Sequence, residues 1–352
     1  MKRINGASLF ACSGIGEYYF DKLGIDIKVA NELLSRRCEL YKFFHPNSNI
    51  ICGDITNENV FEQINSEIKK NNCKFLIATP PCQGMSTLGK KDYIEDERNY
   101  LFRYVIEIIK NNDFDYILFE NVTKFLRIKL PYKNKTLKIT EILELELGNE
   151  YEIESMELNA MDYGVPQSRP RAFIKIFKKG LKWKNPKKVP KITLKEAIGH
   201  LPSLESGEKS NFKWHFAKMH NEREILAAKH TNEGQSAISN KIFYPKKENG
   251  DRIKGFHNTY KRMKWNEPAP TRAMNNGNMG GTNNIHPGRI KSDGTISDAR
   301  VLTLRELFIV SSLPEEMELP EWCTDTLIRT VIGEAIPPKF SYNILEGMEC
   351  FK

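Results

Sequence analysis

Residues Lys74–Gly84 read KFLIATPPCQG. The apolar run Phe75–Ala78 has the length and character of a short strand that a parallel sheet covers on both faces. Two prolines follow it. Each fixes φ and offers no N–H, so the chain leaving the strand is pinned in direction just where Cys82 comes. A cysteine that only fills core space needs no such bracket. A nucleophile does, because attack depends on orientation.

The neighbouring segments extend the reading. GASLFAC, GIDIKVAN and NIICGD before it, and DYILFEN after it, are further short apolar runs. VFEQINSEIKKN and LFRYVIEIIKNN lie between such runs and place apolar residues at helical spacing. Strands alternating with helices predict an α/β domain with a mostly parallel sheet and helices on both faces. YEIESMELNA and RAFIKIFKK are predicted to be two later strands, a hairpin closing the sheet. After Gly180 the texture changes to Pro, Lys, Asn and Gly, with NNGNMGGTNN (Asn275–Asn284) a loop by composition. A helical pattern returns at ARVLTLRELFIVSSLP.

Composition sets outer limits. The chain has 352 residues, is 40% hydrophobic and carries a net charge of +8. Its apolar runs are too short for a membrane span, and neither a secretion signal nor membrane attachment is expected. Seven scattered cysteines without a CxxC pair or a Cys/His cluster suit a reducing cytoplasm and predict no metal site. Between Tyr163 and Lys195 there are eleven Lys/Arg and no Asp or Glu. Such a block is either a solvated face or a surface that tracks phosphates.

In an open parallel sheet, ligands bind beyond the carboxyl ends of the strands. The first predicted strand runs into Phe10-Ala11-Cys12-Ser13-Gly14-Ile15-Gly16, where glycines permit a tight turn. The second ends at Asn31-Glu32 and the third at Gly53-Asp54; each acid either binds a nucleoside or caps a helix. The fourth ends at Pro80-Pro81-Cys82, the fifth at Glu120-Asn121. A thiol and a carboxylate on adjacent strand ends can attack and protonate a heteroaromatic ring.

Taken in order, these stretches resemble the cytosine-5 DNA methyltransferases of prokaryotic restriction-modification systems. PPCQGMS and the later ENV carry the likeness, with LFACSGIGE, Glu32, Asp54, Arg98 with Leu101, QSRPR (Gln167–Arg171), RVLTLRE (Arg300–Glu306) and IGEAIPP (Ile332–Pro338) in the same order. Cys12 and Ile15 stand where the family has glycines, Glu334 where it has Asn, and Leu33 where some members have an aromatic.

The resemblance implies a Rossmann-like methyltransferase domain over residues 1–179 and 323–352, using S-adenosyl-L-methionine. It implies a smaller target recognition domain with its hinge over 180–322. Cys82 is then the nucleophile at cytosine C6, and Glu120 the group at N3 and the exocyclic amine. Arg169 is expected at the pyrimidine O2, with Arg171 supporting it. The cofactor is expected to touch Phe10 to Gly16, Glu32, Leu33, Asp54, Ile55, Pro80, Leu101, Glu334 and Ala335. Gln83, Ser86, Arg272 and Lys187 are expected at the double-stranded DNA, the stretch after Cys82 closing over a flipped cytosine. The family further implies a monomer working beside a restriction endonuclease of the same specificity.

Three rival readings compete. A tRNA cytosine-5 methyltransferase keeps the chemistry and changes the substrate. A non-catalytic DNA-binding relative is disfavoured by intact Cys82, Glu120 and Arg169. A nicotinamide-dependent oxidoreductase leaves PPCQ and ENV unexplained, and the glycines miss the G-x-G-x-x-G spacing.

Overall fold

The computed structural model describes residues 3–81 and 96–351, which form two compact units. The first contains residues 1–159, 170–187 and 341–352; the second contains 160–169 and 188–340. The contact boundary therefore groups residues 160–169 and 323–340 with the loop-rich segment rather than with the sheet.

The first unit begins with β1 (Ile4–Leu9), β2 (Ile25–Glu32), α1 (Ser35–Phe44), β3 (Asn49–Cys52), α2 (Glu58–Lys70) and β4 (Phe75–Ala78). It continues with α3 (Phe102–Asn111), β5 (Tyr116–Asn121), a hairpin of β6 (Lys129–Tyr132) and β7 (Lys135–Lys138), α4 (Ile139–Leu147) and β8 (Tyr151–Asn159). The short β9 (Gln167–Ser168) belongs to the second unit, and β10 (Pro170–Lys178) returns to the first. Seven strands form one sheet in the order β3-β2-β1-β4-β5-β10-β8. The first five pair in parallel; β10 runs antiparallel to both β5 and β8. The predicted hairpin is thus an antiparallel closure of the sheet in which the later strand takes the inner place.

Burial explains the strand choices. Every residue of β4 and of β5 is buried, as strands covered on both faces must be. α3 turns Phe102, Val105, Ile106, Ile108 and Ile109 onto the core, which includes Leu9, Val29, Leu76, Ile117, Phe119 and Ile174. Burying each such side chain contributes roughly 1.5–3 kcal/mol. α2 starts where Asn57 Oδ1 accepts from the Asn59 and Val60 N–H groups. α1 and α4 and the β6–β7 hairpin fall in stretches for which the sequence reading named no element.

The second unit holds α5 (Leu194–Ile198), α6 (Glu222–Lys229), β11 (Ala269–Pro270), α7 (Leu304–Val310), α8 (Asp325–Glu334) and the start of α9 (Pro338–Leu345). It has few ladders to satisfy its carbonyls. Buried arginines do this instead. Arg262 donates to the Ala228, His286, Asp298 and Ser297 carbonyls. Arg300 binds both oxygens of Glu306, at 2.7 and 3.0 Å, and Asp298 Oδ1 at 2.8 Å. Glu306 also closes a capping box with Thr303 at the start of α7. This is the structural content of RVLTLRE. Removing one partner of such a buried pair costs about 3–5 kcal/mol.

Among the described residues, no helix is long and apolar enough to cross a membrane, and no cluster of three His, Cys, Asp or Glu could hold a metal.

Candidate active site

The carboxyl ends of β1, β2, β3, β4 and β5 are tied together in the first unit. The Ala11 N–H donates to Asn31 O at 2.9 Å, and the Gly53 N–H to Glu32 O at 2.9 Å. The Asn31 amide donates to both Ile51 O and Gly53 O. Thr79 Oγ1 donates to Phe10 O at 3.0 Å. The Asn121 amide donates to the Pro80 carbonyl at 3.1 Å, so β5 holds the proline pair that leads to Cys82. Neither Asn31 nor Asn121 was singled out for such a role. Their signal was polarity in otherwise apolar strands, which requires hydrogen-bond partners when buried.

The loop after β1 winds through left-handed backbone at Phe10 (φ 59°), Cys12 (φ 52°) and Gly14 (φ 72°). A Cβ on Gly14 would come within 2.3 Å of His45 Nε2, so that glycine is required for space as well as for φ. Cys12 occupies its left-handed position with a side chain, at a cost of about 1–2 kcal/mol. Glu32 holds the loop in place: its Oε2 accepts the Cys12 N–H at 2.9 Å and its Oε1 the Leu34 N–H at 3.0 Å. Beneath the loop, Glu17 accepts from Tyr41 Oη at 2.6 Å and from the Ser8 hydroxyl. Burial raises the Glu17 carboxyl above its ordinary range and moves the Tyr41 phenol well above its own.

These residues suit a nucleoside cofactor. Glu32 ends β2, and Asp54 follows β3, the strand paired with it, so the two carboxylates stand at adjacent strand ends. Asp54 is exposed, with Oδ1 accepting from the Thr56 N–H and hydroxyl; α2 is capped by Asn57, so Asp54 is not its cap. Leu33 is 58% exposed, an apolar surface beside the acids. Leu101 is half-buried. Ser13 Oγ is buried and finds no hydrogen-bond partner among the described residues. The side chains of Ile15 and Ile55 lie in the core, at 2% and 3% exposure, and leave only their backbone to a ligand. Glu334 and Ala335 end α8 in the second unit.

At the end of β5, Glu120 is 8% exposed, and Arg171 Nε stands 2.9 Å from its Oε1. The ladder explains the pairing. Phe173 on β10 is opposite Glu120, and Arg171, two residues away, is its diagonal neighbour on the same face. Arg169 goes elsewhere. It is 1% exposed and donates to Arg272 O, Gly333 O and Glu334 O, all at 2.9 Å, within the second unit. Arg171, expected to support the site, pairs with the Glu120 carboxylate, while Arg169, expected at the pyrimidine O2, is buried and ties β9 to α8.

Arg272 also departs from expectation. It is 1% exposed, and it donates to Pro270 O, Asn283 O and Asn284 Oδ1, while its own N–H donates to Gln167 Oε1. A guanidinium engaged in this way supports a loop and does not meet a base edge. Lys187 is exposed. The basic block around it is partly structural: Lys175 is buried and pairs with Glu154, while Lys178 pairs with Asp113 and Asp115. Cys82, Gln83 and Ser86 lie outside the described residues.

The strand ends of a Rossmann-like sheet thus gather a glycine turn, two acids and a Glu–Arg pair. Residues 4–350 match the family of C-5 cytosine-specific DNA methylases. The chain is 46% identical over 347 residues to the Type II methyltransferase M1.HgaI of Avibacterium volantium, covering 97% of each. The chain belongs to the C-5 cytosine-specific DNA methylase family. Its fold is similar to a putative DNA modification methyltransferase encoded within an Escherichia coli prophage, with TM-score 0.69, 20% identity and 98% of each chain covered. It is also similar to Spodoptera frugiperda DNMT2, with TM-score 0.64, 18% identity, and 96% of this chain and 98% of that one covered.

Proposed function

We propose that the protein methylates C5 of a cytosine flipped out of a specific duplex DNA site, within a restriction-modification system. The observation that carries this reading is the pairing of Arg171 with Glu120, whose strand β5 lies next to β4, the strand that runs into Pro80-Pro81-Cys82. Cys82 adds as thiolate to C6 of the cytosine. This turns C5, a poor nucleophile in the aromatic ring, into an enamine-like carbon. Glu120 stabilises the charge that grows at N3 and the exocyclic amine. Arg171 keeps the Glu120 carboxylate in register. S-adenosyl-L-methionine supplies an electrophilic methyl carbon when bound. The backbone of Phe10 to Gly16, with Glu32, Leu33 and Asp54, would hold it. Forming the C5–methyl bond breaks the donor's S–CH3 bond and leaves S-adenosyl-L-homocysteine; loss of the C5 proton and β-elimination then break the C6–Sγ bond and release Cys82.

The segment 180–322 is assigned to reading the target site, because a pocket for one cytosine cannot read its neighbours. Lys187 is assigned to a phosphate. The protein acts as a cytoplasmic monomer, and its functional partner is an endonuclease that cuts the same site.

The test is a covalent adduct. Wild-type protein with cofactor and duplex DNA carrying 5-fluorocytosine at its site should form a complex that survives denaturation, because fluorine blocks the elimination. Cys82→Ala should form none. Bisulfite sequencing of DNA from expressing cells should reveal one methylated sequence. Methylation of tRNA but not of duplex DNA would overturn the substrate assignment.

A further inference from the structure

Within the second unit, the loop Ala273–Asn284 is held by buried side chains on several sides. Arg272 donates to Asn283 O and Asn284 Oδ1. The Asn284 amide reaches across the loop to Asn275 O and Asn278 O, both at 2.7 Å. Asn276, 2% exposed, donates to Ala273 O and Arg329 O, and Arg329 donates back to its Oδ1. Met279 is fully buried in the small core of this unit. Gly281 admits the Asn284 amide; a Cβ there would come within 2.3 Å of it. A loop of asparagines and glycines pays a high ordering entropy unless something else stabilises it. Here buried arginines and asparagines do.

Three side chains of this stiffened loop face outward: Met274, 49% exposed, Asn275 and Asn278. They differ in what they have left to offer. Asn278 Oδ1 is used to accept the Gly280 N–H. The Asn275 amide has no hydrogen bond among the described residues, so its donor and its acceptor are both available. Beside the loop lies Lys218, exposed, its Nζ 3.6 Å from where a Cβ on Gly277 would stand. A rigid loop that presents a complete carboxamide at Asn275, with an ammonium beside the same loop at Gly277, matches a base edge and a nearby phosphate.

We propose that Asn275 reads an adenine of the target site, donating to N7 and accepting from the N6 amine, while Lys218 contacts the adjoining phosphate. A carboxamide is the side chain that matches the adenine major-groove edge in this bidentate way. The proposal rests on the reading that segment 180–322 recognises duplex DNA. It replaces Arg272, which supports the loop from inside.

The test is methylation of a randomised duplex library, read by bisulfite sequencing, with wild type, Asn275→Ala, Asn275→Asp and Lys218→Ala. Wild type should require A·T at one position near the modified cytosine. Asn275→Ala should lose roughly 10- to 100-fold of that discrimination and leave the other positions intact. Asn275→Asp, which can only accept, should move the preference at that position towards cytosine and its N4 amine. Lys218→Ala should weaken methylation of all sequences alike and reduce its salt dependence. Unchanged discrimination in both Asn275 variants, or relaxation at a G·C position instead, overturns the assignment while leaving DNA methylation standing. A wild type with no sequence-selective methylation of duplex DNA overturns both this inference and the reading beneath it.

Discussion

Arg171 Nε lies 2.9 Å from Glu120 Oε1, across the antiparallel step from β10 to β5. The two side chains are 14% and 10% exposed, so the pair is largely shielded from water and its geometry is held from both strands. On the proposed mechanism, an arginine there sets the orientation of the carboxylate that meets the base.

Arg171→Ala should therefore slow single-turnover methyl transfer by about 10²-fold, the usual size for losing a positioned acid, and Glu120→Gln should do the same. The double variant should lose little more than either single one, because both act through one carboxylate. Arg171→Lys should recover only part of the rate, since an ammonium lacks the planar fork. Arg169→Ala should instead lower the melting temperature. A normal rate in Arg171→Ala, with a slowed and fully stable Arg169→Ala, would move the role at the reacting base to Arg169.

Asp54→Ala should weaken S-adenosyl-L-methionine binding by roughly 1.5–3 kcal/mol, the size of a hydrogen bond to a charged acceptor. Because α2 is capped by Asn57, the fold should lose little with it. Calorimetry giving an unchanged dissociation constant would reduce Asp54 to its turn with Thr56.

Cys12→Gly removes a side chain from left-handed backbone and should stabilise the protein by up to about 1–2 kcal/mol, less the extra entropy of a glycine in the unfolded chain. Ile15→Gly, at the other departure from the family pattern, should do the reverse. Ile15 is 2% exposed, and emptying its site should cost about 3–5 kcal/mol. Thermal melts of the two variants check both signs; a destabilised Cys12→Gly would mean that the thiol packs better than the backbone is strained.

Acid should weaken the second unit through His220. Burial, with Lys218, Arg329 and Arg300 nearby, lowers this imidazole from near 6.5 to about 4. Its Nε2 accepts the Val301 N–H, which requires the neutral ring. Between these two values the unfolded chain binds the proton and the folded one does not. Stability is therefore complete above about pH 6.5 and falls as pH drops towards 4, by at most about 3 kcal/mol. His286 is lowered by burial too and adds in the same direction. Melting curves from pH 7 to pH 4.5 should show this loss, and His220→Gln should flatten it; an identical slope in the variant would assign the effect elsewhere.

The sheet was legible in the chain because its strands are buried on both faces. Runs such as Phe75–Ala78 and Tyr116–Asn121 must be almost wholly apolar to form there, and the polar residues that end them mark the ligand edge. Glu32, Asp54 and Glu120 could be placed at that edge from spacing alone. Which arginine of QSRPR meets Glu120 could not. Arg169 and Arg171 are two residues apart and share strand parity, so local pattern treats them alike. The difference comes from partners far along the chain: Ala172 and Phe173 register β10 against Asn121 and Glu120, while Arg169 is captured by carbonyls of Arg272, Gly333 and Glu334. The same holds for Arg272. In sequence it is a cation in a polar loop; in the fold it is buried, because an irregular segment with few ladders needs donors for its own carbonyls. Burial on two faces leaves its mark in adjacent residues, whereas the partner of a long polar side chain depends on chain segments brought together only by folding.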